Sequence, residues 1–269
     1  MKKIICLFIF TIFIFQNSFA LIADTHTDFY KYYKGKTICI NAGHQKKGNL
    51  ELEDSSPVIN KKKAKVTYGA NGESKINLTV SKILKEEFEA LGAKVIMIRE
   101  TEDVNISNKE RALMGNKADL VLNIHCNAAD NQKAAGIWLL IPSEKNVGEK
   151  SICEPSKKLA SLIEKQMSKK HTVKTFERDD LTGLNWSTVP SIFIECGFLT
   201  NKDDKKFLEN MDSYLTSDMR YDFIDSIMIG VTDFLKEDYV EEEIVEEDNK
   251  LLDDNFIISL IFSLFGLRR

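Results

Sequence analysis

Three apolar runs in this chain each stop on a polar residue, and that repetition restricts the fold more than any other feature. Thr37-Ile38-Cys39-Ile40-Asn41-Ala42-Gly43 presents His44, Leu120-Val121-Leu122-Asn123-Ile124 delivers His125, and Ser191-Ile192-Phe193-Ile194 delivers Glu195. Short β-branched runs of this kind read as buried strands. In open α/β sheets the ligand crevice lies beyond the carboxyl ends of the strands, so residues placed this way meet in one site.

The segments between these runs change period. Ile76, Val80, Ile83, Leu84, Phe88 and Leu91 recur at three and four residues, which predicts an amphipathic helix opened by Glu73 and ended by Gly92. Lys94 to Ile98 reads as a strand. Ser107 with Glu110 three residues on predicts a capping box for a helix reaching Asn116. Ile137 to Ile141 reads as a further strand, Glu154-Pro155 opens a helix running to about Lys169, and a last helix is expected from Tyr214 to Leu235. Residues 45–72, with Gly48, Asn49, Pro57, Gly69, Asn71 and Gly72, read as a long irregular loop, and 182–186 as a turn. The expectation is α/β: a single domain over 37–236 with a twisted, largely parallel sheet flanked by helices on both faces.

The ends have other characters. Met1-Lys2-Lys3, the apolar run Ile4 to Phe15 and Ser18-Phe19-Ala20 have the three parts of a secretory signal over 1–20, with cleavage expected near Ala20. An uncleaved anchor is the alternative, although the run falls short of the ~20 residues that span a bilayer. Either way the remainder is expected to be exported. Residues 21–36 form a lead-in without periodicity. Residues 237–254 form an acidic linker, ten Asp or Glu against Lys250, and 255–269 a hydrophobic tail suited to an interfacial or protein contact, or to folding back on the domain. Setting the linker and Arg268 with Arg269 aside, the rest of the chain carries about +3 of the formal -4. That suits an anionic polymer and gives no ground for nucleic acid. Cys39, Cys126, Cys153 and Cys196 are expected to be buried thiols, since three of them adjoin apolar strands, and Cys6 belongs to the signal.

Of the histidines, His26 and His171 are expected to be exposed and without a special role. His44 and His125 differ, because each stands at a strand tip with carboxylates in reach. A satisfied core histidine and a metal ligand are both open for them.

Four segments together resemble the zinc-dependent N-acetylmuramoyl-L-alanine amidases: Asn41-Ala42-Gly43-His44, Glu73-Ser74-Lys75-Ile76-Asn77-Leu78, Asn123-Ile124-His125-Cys126-Asn127-Ala128, and Ile194-Glu195-Cys196-Gly197-Phe198-Leu199-Thr200-Asn201. Arg99, Arg111 and Gly183-Leu184-Asn185-Trp186 also fit the family pattern. With one catalytic domain and no wall-binding repeats, the chain looks most like the small sporulation or germination amidases that modify spore cortex peptidoglycan, in the forespore intermembrane space or the cell wall.

The resemblance implies that His44, Glu73 and His125 bind Zn²⁺ and that Glu195 is the catalytic carboxylate. Two neutral imidazoles and a carboxylate leave an open fourth position, as in catalytic zinc sites. The scissile bond would join the lactyl group of N-acetylmuramic acid to L-alanine. Other readings stand beside these roles. Glu73 is equally a first-turn carboxylate favoured by the helix dipole, and Glu195 a paired charge at a strand end. Asn127 would bind substrate or fix the loop after His125, and Trp186 would stack on substrate or cover the core. Lys61, Lys62, Lys63 and Lys65 would meet anionic glycan or form a solvated face. A weakly active or partner-dependent wall-binding protein with the same fold, and a wall peptidase, are the alternative functions. One position departs from the family, which usually has Asp where this chain has Asn41. If that side chain supports His44, zinc is held less firmly here, and an accessory protein or substrate would complete the site.

Overall fold

The computed structural model describes residues 29–212 and 217–237. The signal, His26, Cys6, most of the lead-in, the linker beyond residue 237 and the hydrophobic tail lie outside the described residues. Among those described, no helix is long and apolar enough to cross a membrane.

Six strands form the main sheet: β1 (Thr37–Ala42), β4 (Lys94–Met97), β5 (Leu120–Asn127), β6 (Ile137–Pro142), β7 (Val173–Arg178) and β8 (Ser191–Phe198), in the order β4-β1-β5-β8-β6-β7. β1, β4, β5 and β8 are mutually parallel. β6 is antiparallel to β8, and β7 is parallel to β6. The reversal follows from chain length. A parallel return needs a crossover of roughly a dozen residues or more, usually helical, and residues 128–136 between β5 and β6 contain no helix.

Three helices cover one face: α1 (Glu73–Ala90), α3 (Cys153–Met167) and α6 (Ser217–Glu237). They bury Ile76, Val80, Leu84, Phe88, Leu159, Ile163, Ile227 and Val231 against Ile38, Ile40, Leu122, Ile124, Leu139 and Ile194. Each such side chain is worth roughly 1.5–3 kcal/mol. The opposite face carries only short helices, α2 (Asn108–Gly115) and α4 (Thr182–Asn185), over two small clusters around Cys39 with Val121 and around Leu140 with Phe193. This thin cover leaves the strand tips accessible from that side. The Ser107–Glu110 capping box forms as expected. All four cysteines of the domain are buried free thiols.

Several expectations need correction. Residues 45–72 are not one irregular loop: β2 (Asn49–Asp54) and β3 (Lys62–Val66) pair as an antiparallel hairpin. Its pattern was obscured because both faces are largely solvated, with Leu50 and Leu52 each 62% exposed. A lone hairpin is marginal in water. This one is tied down by Trp186 Nε1 donating to Asp54 O (2.9 Å), Asn185 Nδ2 to Ser55 O (3.0 Å), Lys109 N to Glu53 Oε1 (2.9 Å) and the Lys63 ammonium to Asp180 O. Its lysines serve it, with Lys62 on Asp54 and Lys65 on Glu51. Within the lead-in, 29–33 is helical, and the buried Tyr33 bonds Thr232 at 2.7 Å. β7 and α5 (Lys202–Glu209) were not expected; both are short and strongly charged. His171 is half-buried rather than exposed, its ring against Phe207 and Phe223, and burial lowers its pKa.

Candidate active site

The site is assembled where β1, β5 and β8 end and α1 begins. Glu73, the first residue of α1, is 3% exposed, and its carboxylate is fully engaged. Ala70 N donates to Oε2 at 2.7 Å, and Cys126 N and Asn77 Nδ2 donate to Oε1 at 3.2 and 3.4 Å. The same Oε1 lies 3.2 Å from His44 Nε2 and 3.3 Å from His125 Nδ1. Burial pushes this carboxyl up, yet the contacts from His125 and His44 outweigh it and hold Glu73 well below the usual carboxylate range.

His44 reaches this position in a strained backbone state. Its φ of 57° is the one positive value at a non-glycine among the described residues, a conformation that costs of order 1 kcal/mol and clusters at functional sites. Its Nδ1 stands 2.9 Å from Thr67 O. A carbonyl only accepts, so Nδ1 carries a proton and Nε2 turns toward Glu73. Facing a carboxylate at 3.2 Å, Nε2 then needs either its own proton or a shared cation. Burial lowers the His44 pKa, but the Glu73 contacts more than reverse this and leave it raised. Burial dominates at His125 and lowers its pKa, favouring the neutral ring.

These residues fit a metal ion. One ligand atom from each of His44, Glu73 and His125 lies within 4.8 Å of the others. Donors held at roughly 2.0–2.1 Å around a tetrahedral ion stand about 3.3 Å apart. The 3.2 and 3.3 Å separations of Glu73 Oε1 from the two imidazole nitrogens match two edges of such a sphere, and the third ligand pair lies within 4.8 Å.

Two glycines leave room for it. A Cβ on Gly43 would come within 2.2 Å of the His125 ring, and one on Gly69 within 2.6 Å of Glu73 Oε2 and 2.7 Å of the His44 ring. Gly43→Ala is therefore expected to rotate His125 out of the cluster. Metal stoichiometry of the purified variant checks this, and a full metal complement with native His125 NMR shifts would contradict it. The far side of the His125 ring stacks on Phe193 at 4.9 Å.

Glu195 is the register partner of His125 across β5 and β8, so the two side chains leave the same face side by side. Burial, followed by the charge of Glu73, pushes its carboxyl up to about 8, against smaller pulls from His44 and Arg178. A half-buried carboxyl poised near neutrality beside two imidazoles is suited to moving protons.

Beneath the first strand tip two guanidiniums hold the backbone. Arg99 donates to Ala42 O (2.8 Å), Gly43 O (2.9 Å) and Ser74 O (2.7 Å). Arg111 donates to Ile106 O, Asn41 Oδ1, Ala42 O, His44 O and Gln45 Oε1, all between 2.8 and 3.1 Å. Burial lowers both, Arg99 to about 10 and Arg111 to about 9. Asn41 accordingly does not touch the His44 ring. Its amide bridges Arg111 and Asn123 Oδ1, the latter at 2.8 Å, and reaches His44 only through Arg111.

The remaining expected residues lie around this centre. Asn127 is half-buried and accepts from Ala128 N at 2.9 Å while its carbonyl takes Leu199 N, the loop-fixing arrangement. Trp186 has its indole N–H on Asp54 O and the Lys109 ammonium 3.7 Å over its ring, so it covers the join between hairpin and domain. Thr67, Gly69 and Asn77 were missed. Thr67 acts through its carbonyl, which every residue possesses, whereas the repeated glycines flanking the loop offered a usable signal.

The whole domain has known counterparts. A family model described as N-acetylmuramoyl-L-alanine amidase matches residues 38–222. The uncharacterized protein YqiI of Bacillus subtilis (strain 168) is 30% identical over 177 residues, covering 64% of this chain and 74% of YqiI. Among solved structures, the N-acetylmuramyl-L-alanine amidase Ami1 from Mycobacterium smegmatis is similar in fold, with a TM-score of 0.66 at 20% identity over 76% of this chain and 99% of that one. The CwlD amidase from Clostridioides difficile, in complex with the GerS lipoprotein, has a TM-score of 0.53 at 25% identity over 75% and 99%.

Proposed function

The chain belongs to the N-acetylmuramoyl-L-alanine amidase family, and from that premise we propose that it is an exported zinc enzyme of spore cortex peptidoglycan. Its activity is that of an amidase on peptidoglycan. The observation that carries the zinc reading is the ligand-sphere spacing of His44, Glu73 and His125, with Glu195 in register beside His125. Zinc held by His44, Glu73 and His125 would supply Lewis-acid chemistry toward the scissile carbonyl and the attacking water. Thr67 O and Phe193 fix the two imidazole rings, Glu73 supplies the negative charge, and Gly43 and Gly69 keep the approach open. Glu195 takes the proton from the attacking water and returns it to the departing amine of L-alanine, so that no free amide anion has to leave. Asn127 serves the site indirectly, fixing the loop after His125 through Ala128 N and Leu199 N.

An accessory protein that stabilises the zinc-bound form draws support from the likeness to CwlD, which was solved in complex with a lipoprotein, and the cortex assignment rests on the sequence resemblance to small sporulation or germination amidases. Export draws support from the signal-like segment 1–20, and the apolar composition of 4–15 and 255–269 suits a membrane contact. Digestion of cortex-type and vegetative peptidoglycan, with and without added zinc and with product mass analysis, tests the whole reading. Zinc-dependent release of free lactyl carboxyl groups and L-alanine amino termini is expected, fastest on cortex material. Intact muropeptides in the presence of zinc would overturn it.

Asn41 sets the strength of zinc binding in this scheme. The Arg111 charge bears on both imidazoles, and a dication is opposed by the same field. Asn41→Asp places a carboxylate where Asn41 Oδ1 now meets Arg111 Nη1 at 3.0 Å and is expected to tighten zinc about tenfold. Competition with a chelator measures this, and equal affinity in both proteins would remove Asn41 as the cause of any weakness.

A further inference from the structure

The catalytic side of the sheet continues past Glu195. His125 is paired with Glu195 between β5 and β8, Glu195 with Trp138 between β8 and β6, and Trp138 with Lys174 between β6 and β7. Partners in neighbouring strands project to one face, so these four side chains form a single row across four strands. At about 4.8 Å per strand, Lys174 is about 10 Å from Glu195 at the backbone.

This end of the row has the composition of a binding surface. Trp138 is half-buried, its ring 4.7 Å from Phe176 and 5.1 Å from Phe198, and Phe176 is 39% exposed. Lys174 is exposed. Both Trp138 and Lys174 line a cavity of about 480 Å³ that Lys133, Lys170, Asp203 and Asp204 share. Asp204 is committed to the fold, its Oδ2 accepting Gly136 N and Phe198 N at 2.9 Å each. Lys170 faces Asp222 at 3.6 Å. Among the described residues no ion pair takes up Lys174 or Lys133.

We propose that this extension of the row is the subsite for the stem peptide, with Trp138 and Phe176 as its apolar floor and Lys174 as the contact for a free carboxylate on the residue after L-alanine. The inference rests on the amidase reading and on direction. The scissile carbonyl belongs at the His44, Glu73 and His125 cluster and the departing amine at Glu195, so the peptide beyond that amine continues along the same line over Trp138. An extended chain advances roughly 3.3–3.6 Å per residue. The second residue therefore arrives between Trp138 and Lys174, within reach of the long lysine side chain.

Two muramoyl peptides that differ only at the second residue, one with a free α-carboxylate and one with the carboxamide, test this with the zinc-loaded full-length protein. The wild type is expected to favour the carboxylate. Lys174→Met should lower kcat/KM for that substrate about fivefold to tenfold, through KM, and leave the carboxamide within about twofold. Lys174→Glu should reverse the preference, and Trp138→Leu should raise KM for both. Equal wild-type rates on the two substrates, or an equal loss on both in Lys174→Met, would overturn the subsite while leaving the amidase reading intact. Hydrolysis of neither by the wild type would overturn both.

Discussion

Glu195→Gln is expected to reduce kcat by about 10²–10⁴-fold, the usual worth of a positioned acid–base group, with metal content unchanged. The substitution keeps the shape of the side chain and replaces the titratable carboxyl with a neutral amide that neither takes up nor gives up a proton near neutrality, and none of the three metal-cluster residues is altered. Steady-state assays on soluble muramoyl peptides together with metal analysis check this; a fall of less than about tenfold would move the proton-transfer role elsewhere. A second readout comes from stability. Burial and the neighbouring Glu73 charge raise the Glu195 carboxyl to about 8 in the metal-free protein, above its value in an unfolded chain. The folded state thus holds that proton more tightly. Its stabilising contribution is complete below the ordinary carboxylate pKa and is lost as pH rises toward 8. Gln carries no such proton, so the metal-free variant should gain stability relative to wild type as denaturant titrations move from about pH 5 to about pH 8. A difference that stays flat across that range would contradict the raised carboxyl.

Arg111→Met should be among the most destabilising single changes in the domain, on the order of 3–5 kcal/mol. The guanidinium is 2% exposed and satisfies five oxygens from 41–45 and Ile106. Methionine fills similar volume and removes the cost of a buried charge, but leaves those acceptors without donors at roughly 1–3 kcal/mol each where water cannot enter. Against a typical total of about 5–15 kcal/mol, Tm should fall by on the order of 10 °C. Arg111→Lys is expected to rescue little, because a point ammonium has three donors and no fork to span both sides of the strand tip. A lysine variant melting within about 2 °C of wild type would show that charge alone, rather than the hydrogen-bonded cradle, holds residues 41–45 in place.

The parts of the protein that its sequence alone determined are those in which the physical signal is local. Apolar β-branched runs of five or six residues specify buried strands, the three- and four-residue spacing from Ile76 to Phe88 specifies α1, and Ser107 with Glu110 specifies its own helix start. His44, His125 and Glu195 were legible as candidates for the same reason, since each stands at the end of such a strand, whereas Glu73 joined them only through the family resemblance. Tertiary structure decided what local pattern does not carry. The hairpin β2-β3 exists because Trp186, Asn185 and Lys109, more than fifty residues away in the chain, hold it. The partner of the His44 ring is a backbone carbonyl, which leaves no trace in residue identity. Asn41 was legible as a departure from the family, but only the fold shows that it acts on Arg111 instead of on the imidazole. The short, helix-free link 128–136 turns β6 against β8, and that reversal alone brings Trp138 and Lys174 into line with Glu195. Strand register across four non-adjacent segments is a long-range property, set by how the whole chain closes, and the reach of this catalytic row was therefore written in the fold.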